Sequence, residues 1–221
     1  MLHNARRRGF TLIELLVVVS ILALLIGILL PSLSGARRQA RRVACASNLR
    51  AIGQSLRLYL NDSNDILPVV APLPSLPMEF GPPRPGIADV LRPYLQDDVS
   101  AEQEHMEVFH CPADVPGRYD RGVPNGFKSF FETEGSSYGF NQRLYFLMID
   151  NFEDDPENWV IKPTSLYQLV RHERMIERYN GQPAEEQVWL MKDYEQFHQT
   201  QGGNQPWNFL YVDGHVADLE R

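Results

Sequence analysis

The most constraining feature of the chain is the run FTLIELLVVVSILALLIGILL, Phe10 to Leu30, 21 residues whose only charge is Glu14. At about 1.5 Å per residue, a helix of this length spans roughly 31 Å, one hydrocarbon core. Arg6, Arg7, Arg8 and then Gly9 come immediately before it. A secretory signal peptide has a core of about 7–15 apolar residues, so this run is too long for one, although Ser34-Gly35-Ala36 is a passable small-residue cleavage site. A lipoprotein signal fails because Cys45 follows Arg42-Val43-Ala44 and not a Leu-and-small-residue box. A plain uncleaved anchor stays open. So does a Glu14 that snorkels to the interface.

Glu14 separates these readings. A carboxylate in a bilayer costs several kcal/mol unless it is paired. If a peptidase cut after Gly9, the new α-amino group of Phe10 would sit at the membrane start of the helix. A second copy of the chain would then place Glu14 against that amine, neutralising two costly charges and fixing the axial stagger of the subunits.

Charge is unevenly placed along the chain. Nine arginines and one acid lie in residues 1–61, with Arg37, Arg38, Arg41, Arg42, Arg50 and Arg57 following the apolar run. Residues 62–221 hold 12 basic and 27 acidic side chains, a balance of −15. An acidic head argues against nucleic acid as the main partner, because phosphate binding needs Lys and Arg. The basic stalk suits anionic lipid headgroups or acidic protein faces. Arginines on both sides of the apolar run leave its orientation undecided by charge alone.

The stretch R-R-G-F-T-L-I-E-L-L-V-V at 7–18 resembles the leader and helix start of type IV pilins and type II secretion pseudopilins. The resemblance implies cleavage by a prepilin peptidase on the cytoplasmic side after Gly9. It also implies methylation of Phe10 and a role for Glu14 in filament assembly. Pro31 stands where many members of the family have a proline that kinks the helix. The implied partners are the peptidase, copies of the chain and other pseudopilins in a filament, and an inner-membrane assembly platform. The implied location is the bacterial inner membrane, crossed once, with the N-terminus cytoplasmic and the head periplasmic until assembly extracts the helix from lipid.

Residues 32–60 are rich in helix formers, and Cys45, Leu49, Ile52, Leu56 and Tyr59 recur at spacings of 3 and 4, one apolar stripe. The stripe is expected to pack against the head, with the arginines on the opposite side. Asn61-Asp62-Ser63-Asn64 ends the helical pattern. Seven prolines between Leu67 and Pro85 predict an irregular connection, with a polyproline ligand as the sharper alternative. The expected organisation is a cleaved leader 1–9, a membrane helix 10–31, a stalk helix 32–61, a Pro-rich loop 62–86 and a head 87–221. The expected fold class is α+β, pilin-like: a long N-terminal helix packed against a small antiparallel sheet.

In the head, Ile87–Leu95 reads as a short helix broken at Arg92-Pro93, and Glu107–Cys111 and Gln187–Lys192 read as strands. Asp213-Gly214 between two apolar runs, 208–212 and 215–219, predicts a tight hairpin. Four phrases, at 45–53, 108–114, 136–141 and 208–216, resemble a pseudopilin-like subgroup. That subgroup is labelled by a histidine separated by nine residues from Asp-Gly. Here that position is Gly203, and His198 stands further off, so the label is only partly met.

Several residues invite chemistry. Gly135-Ser136-Ser137-Tyr138-Gly139 matches a nucleophile-elbow pattern but lacks clear strand-to-helix flanks, so a turn within a sheet is expected and no catalysis. Cys45 and Cys111 are the whole cysteine stock. A disulfide pinning sheet to helix, two separate buried thiols, and metal binding by His110, Cys111 and Asp114 all remain open. The resemblance also raises a structural calcium ion. Its candidates are Asp193, Asp213, Asp218 and the run Glu153-Asp154-Asp155, none with EF-hand spacing. His198 and His215 read as surface or hairpin residues. The function these readings favour is a structural subunit of a type II secretion-like pseudopilus. The alternatives are a type IV pilus subunit for adhesion, motility or DNA uptake, and an uncleaved membrane-anchored binding protein or enzyme.

Overall fold

A computed structural model of the chain describes residues 12–71, 84–95, 106–116, 128–149, 160–181, 183–193 and 207–218. The fold is α+β: a long N-terminal apolar helix and a small four-stranded antiparallel sheet domain. Contacts divide the chain into two compact units, Met1–Ala40 and Arg41–Arg221.

The first unit contains the start of α1 (Leu12–Asp62), which runs unbroken through position 31. Leu, Ile, Val and Ala surround it on every side, so it has no polar face to turn toward water. Ser20, one of its few polar side chains, donates to the Leu16 carbonyl at 2.7 Å, which satisfies the hydroxyl within the helix.

In the second unit the rest of α1 becomes amphipathic. Cys45, Leu49, Ile52, Leu56 and Leu60 are buried, and Tyr59 is half-buried beside them. The helix stops where the breakers stand. Asn64 and Asp65 take positive φ values of 55° and 64°, a conformation that short polar side chains tolerate better than most. Ile66 then bridges to Ser165 and starts the connection into the head.

The sheet is a meander in the order β1 (Tyr138–Phe140), β2 (Trp189–Asp193), β3 (Asn208–Tyr211) and β4 (Val216–Asp218). Phe140 pairs with Met191, Met191 with Leu210, and Leu210 with Val216. This row shares one face by the period of two. Leu210 meets α1 at Gly53, where an added Cβ would fall 2.7 Å from its Cδ1. Glycine in a helix costs roughly 1 kcal/mol relative to alanine, and here it permits a close approach of helix and sheet. Short helices close the domain: α2 (Ile87–Leu91), α3 (Phe130–Glu134), α4 (Gln142–Leu147), α5 (Leu166–Val170) and α6 (Glu173–Arg178).

The predicted break at Arg92-Pro93 is the change from α2 to a 3₁₀ turn, Arg92–Tyr94. The strand expected at Glu107–Cys111 is instead a 3₁₀ turn, Glu107–Phe109. Its amides bond locally, Phe109 to the Met106 carbonyl and His110 to the Glu107 carbonyl, both at 2.9 Å. A five-residue stretch of mixed polarity before a proline is too short to choose between ladder and turn by pattern alone. The hairpin at 208–218 forms, with a three-residue loop Val212-Asp213-Gly214. Gly214 at φ 88° supplies the left-handed residue that this loop length requires.

Candidate functional site

Two surfaces bear on function, one in each unit. In the first unit every described side chain from Leu12 to Leu30 is exposed. The helix holds an 18-residue window of mean hydropathy 3.0 with none of it buried, so it is long and apolar enough to cross a membrane. Glu14 is its only charged residue in that span. Gly9 and Phe10, the predicted cut and methylation positions, lie outside the described residues, and so does the side chain of Pro31. A carboxylate on such a surface is costly in hydrocarbon unless an opposite charge meets it.

In the second unit, residues from four distant stretches converge on one seam between α1 and the head. Cys45 and Cys111 form a disulfide, and both are fully buried. Asn48 donates to the His110 carbonyl at 2.8 Å, and Tyr138 donates its hydroxyl to the Cys45 carbonyl at 3.4 Å. Burial, then the nearby charge of Asp193, pushes the Tyr138 hydroxyl pKa upward, so the ring stays neutral. Ser137 donates to Asp114 at 2.7 Å while its oxygen accepts from the Cys111 amide at 3.0 Å. The Asp114 carboxylate also accepts from the Phe130 and Phe131 amides at 3.2 and 2.9 Å, which satisfies the first free N–H groups of α3. Ser129 adds a capping box with Glu132.

The opposite end of the seam is held by Arg57. It donates to the carbonyl of Asp213, and to that of Val212 at 3.4 Å. Arg57 is therefore a clamp on the hairpin turn, whereas the sequence pattern placed the stalk arginines on the side opposite the head. Asp213 accepts from the His215 amide at 3.0 Å and contacts the His215 ring at 2.6 Å, and that ring stacks on Tyr211. Partial burial raises the Asp213 pKa. The hydrogen bonds from His215 and the charges of His215 and Arg57 outweigh that and hold it below the ordinary range. His215 is thus a hairpin residue.

No group of three or more metal-binding side chains occurs among the described residues. Asp193 is fully buried and accepts from the Asn208 amide at 2.8 Å and from its side chain at 3.1 Å. Burial pushes its pKa up to about 7 against those bonds. Asp218 faces Asn208 in the ladder, Asp213 serves the turn, and His198 and Glu153-Asp154-Asp155 lie outside the described residues. The local set of His110, Cys111 and Asp114 is accounted for: the cysteine is oxidised, His110 stacks on Phe131, and Asp114 caps α3. The Gly135–Gly139 stretch runs from helix to strand, the reverse of a nucleophile elbow. Gly135 ends α3 in the left-handed conformation, and Tyr138 begins β1. Ser137 faces Asp114 and is fully buried, which leaves it no access to a substrate.

Sequence reasoning singled out the four phrases but not why they go together. Asn48, Asp114, Ser137 and Asn208 each sit inside one of them, and each is a hydrogen-bonding member of the seam or of its sheet edge.

The prokaryotic N-terminal methylation motif matches residues 4–30. The type II secretion system core protein G of Pectobacterium carotovorum subsp. carotovorum is 37% identical over 59 residues, 27% of this chain and 38% of that protein. The corresponding protein of Klebsiella pneumoniae is 39% identical over 59 residues, 27% of this chain and 42% of its own. The type IV wide pilus major component PilA4 of Thermus thermophilus is 36% identical over 81 residues, 37% of this chain and 60% of that protein. The chain thus spans less than two thirds of the length of these curated relatives. No solved structure matches. The chain thus carries a prokaryotic N-terminal methylation motif and, over part of its length, is similar to type II secretion core proteins and a type IV pilus major component.

Proposed function

We propose that the chain is a structural, non-catalytic subunit of a pilus-like filament, of a type II secretion-like system. The observation that carries this reading is the single carboxylate, Glu14, on the otherwise uncharged and exposed apolar stretch of α1, 12–30, inside the methylation motif. A membrane peptidase cuts after Gly9 on the cytoplasmic side, and Phe10 becomes the methylated N-terminus. The helix anchors the protein in the inner membrane with the acidic head on the periplasmic side. Assembly moves the helix from lipid into a bundle of like helices, and Glu14 meets the Phe10 amine of a neighbouring copy. Pro31 loosens the helix at the membrane boundary by removing one backbone donor. The stalk–head disulfide supports an exported head, because such bonds persist in oxidising compartments.

Mass spectrometry of the mature protein tests the processing step. The expected N-terminus is a methylated Phe10, and a chain beginning at Met1 or after Ala36 would overturn the reading. Glu14→Val should leave membrane insertion intact and abolish filament formation, and normal filaments from that variant would refute the amine pairing. A type IV pilus subunit is the second reading, favoured by the longer match to a pilus major component. Surface pili that persist without the secretion platform would decide for it.

A further inference from the structure

A groove in the second unit lies away from the disulfide, beside the hairpin turn that Arg57 holds. It encloses about 310 Å³ where the end of α1 meets α5. Its floor is apolar, built from Leu60, Leu166, Val170 and Val212, all buried. Its rim carries Arg57, Arg171 and Tyr167. Tyr167 is 59% exposed, and the Arg171 guanidinium lies 3.6 Å from the centre of its ring. Tyrosine and arginine around a small apolar pocket are the side chains that most often carry interface energy. Two acids share the rim. Asp65 accepts from the Tyr167 amide at 3.2 Å and is turned to α5, which leaves Glu185 at the edge.

The same unit presents a shape that complements this groove. On α6, Met175 is buried while Ile176 is 37% exposed. At about 3.6 residues per turn, Glu173 and Glu177 flank Ile176 on the side away from Met175. Arg174 and Arg178 fall across the helix, and Arg178 lies over the Tyr179 ring. An apolar tip with two carboxylates fits an apolar floor with two guanidinium groups.

We propose that the groove is a docking site for a second copy of this chain. It receives Ile176 of that copy, with Glu173 and Glu177 set against Arg171 and Arg57. Groove and tip are different patches, so the contact is heterologous and repeats from copy to copy, as an open filament requires. The proposal rests on the filament reading only for the supply of adjacent copies.

The test uses the full-length chain in membranes and in assembled filaments, with a photo-crosslinking phenylalanine derivative in place of Tyr167. A covalent dimer joined to the peptide containing Glu173–Arg178 is expected. In the crosslinker background, Arg171→Glu and Glu177→Arg should each lower the dimer yield on the order of tenfold, and the pair together should restore it. Crosslinks to another part of the chain, to lipid or to a different protein would overturn the docking, as would charge reversals without effect or a double variant without rescue. Absence of the dimer beside intact, processed filaments removes this contact and leaves the filament reading standing. An unprocessed N-terminus beside an intact, charge-dependent dimer removes the filament reading and leaves the contact.

Discussion

The two stretches of α1 share one secondary structure and differ in everything else. From Leu12 to Leu30 the helix is apolar all round and exposed all round. From Cys45 to Leu60 it is apolar along one stripe, on which Cys45, Leu49, Ile52, Leu56 and Leu60 are exposed by 8% or less. A helix without a polar face has no orientation to prefer, so its stability and position come from a solvent, lipid or neighbouring helices, that is apolar on every side. A helix with one stripe is fixed by a single apolar surface, here the sheet face around Leu210. Substitutions in the first stretch should therefore alter assembly, and those in the second should alter folding.

The largest test of this contrast is the disulfide. Cys45 and Cys111 close a separation of 66 residues, which in the chain-entropy account stabilises the fold by about 4 kcal/mol. Cys111→Ser should lower the unfolding free energy of the head by about that amount, read by thermal melting against wild type with and without reductant. Next, Leu49→Ala removes a fully buried side chain from the stripe and should cost about 2–5 kcal/mol in the same melts. Gly53→Val places its side chain into Leu210 and should cost about 1–3 kcal/mol, although valine favours helix over glycine. A rise in stability in that variant would show that the close approach is not required.

A gentler test concerns pH. The Asp193 carboxyl titrates near 7 in the fold, above its ordinary unfolded value. The folded state then binds more protons than the unfolded state between those values, so this group's contribution is full at acid pH and fades as pH rises toward about 7. Asp213 acts in the opposite sense. Its pKa is held low, so its contribution is present above the ordinary carboxylate range and lost as pH falls below it. Asp193→Asn should flatten the decline between about pH 4 and 7 in urea melts, and an unchanged slope would exclude the group as its source. The smallest expected effect is Leu22→Ala in the first stretch. The melting of the head should be unchanged to within about 0.5 kcal/mol, because that side chain is exposed.

Much of this was legible from residue order. The long helix, its end at the Asn-Asp-Ser-Asn cluster, the Asp-Gly hairpin and the apolar stripe follow from local propensity, breakers and periodicity, which act within a few residues. The turn at Glu107–Phe109 was misread as a strand because strand and turn differ there only in where the amides bond, a choice made by distant partners. The same reason explains why the sequence pattern puts Arg57 on the side away from the head. Its acceptors are carbonyls 155 and 156 residues away, and a carbonyl carries no sequence signature.

By itself the sequence determined the membrane-length helix, the lone acid near its start and the acidic head beyond it, because length, apolarity and charge are properties of composition in order. Only the tertiary structure decided that Cys45 meets Cys111 and that Asp114 and Ser137 seal the join. It also decided that Gly53 is a point of close contact between helix and sheet. Those pairings depend on which buried surfaces fit together and which buried polar groups find partners, and both are settled across the fold.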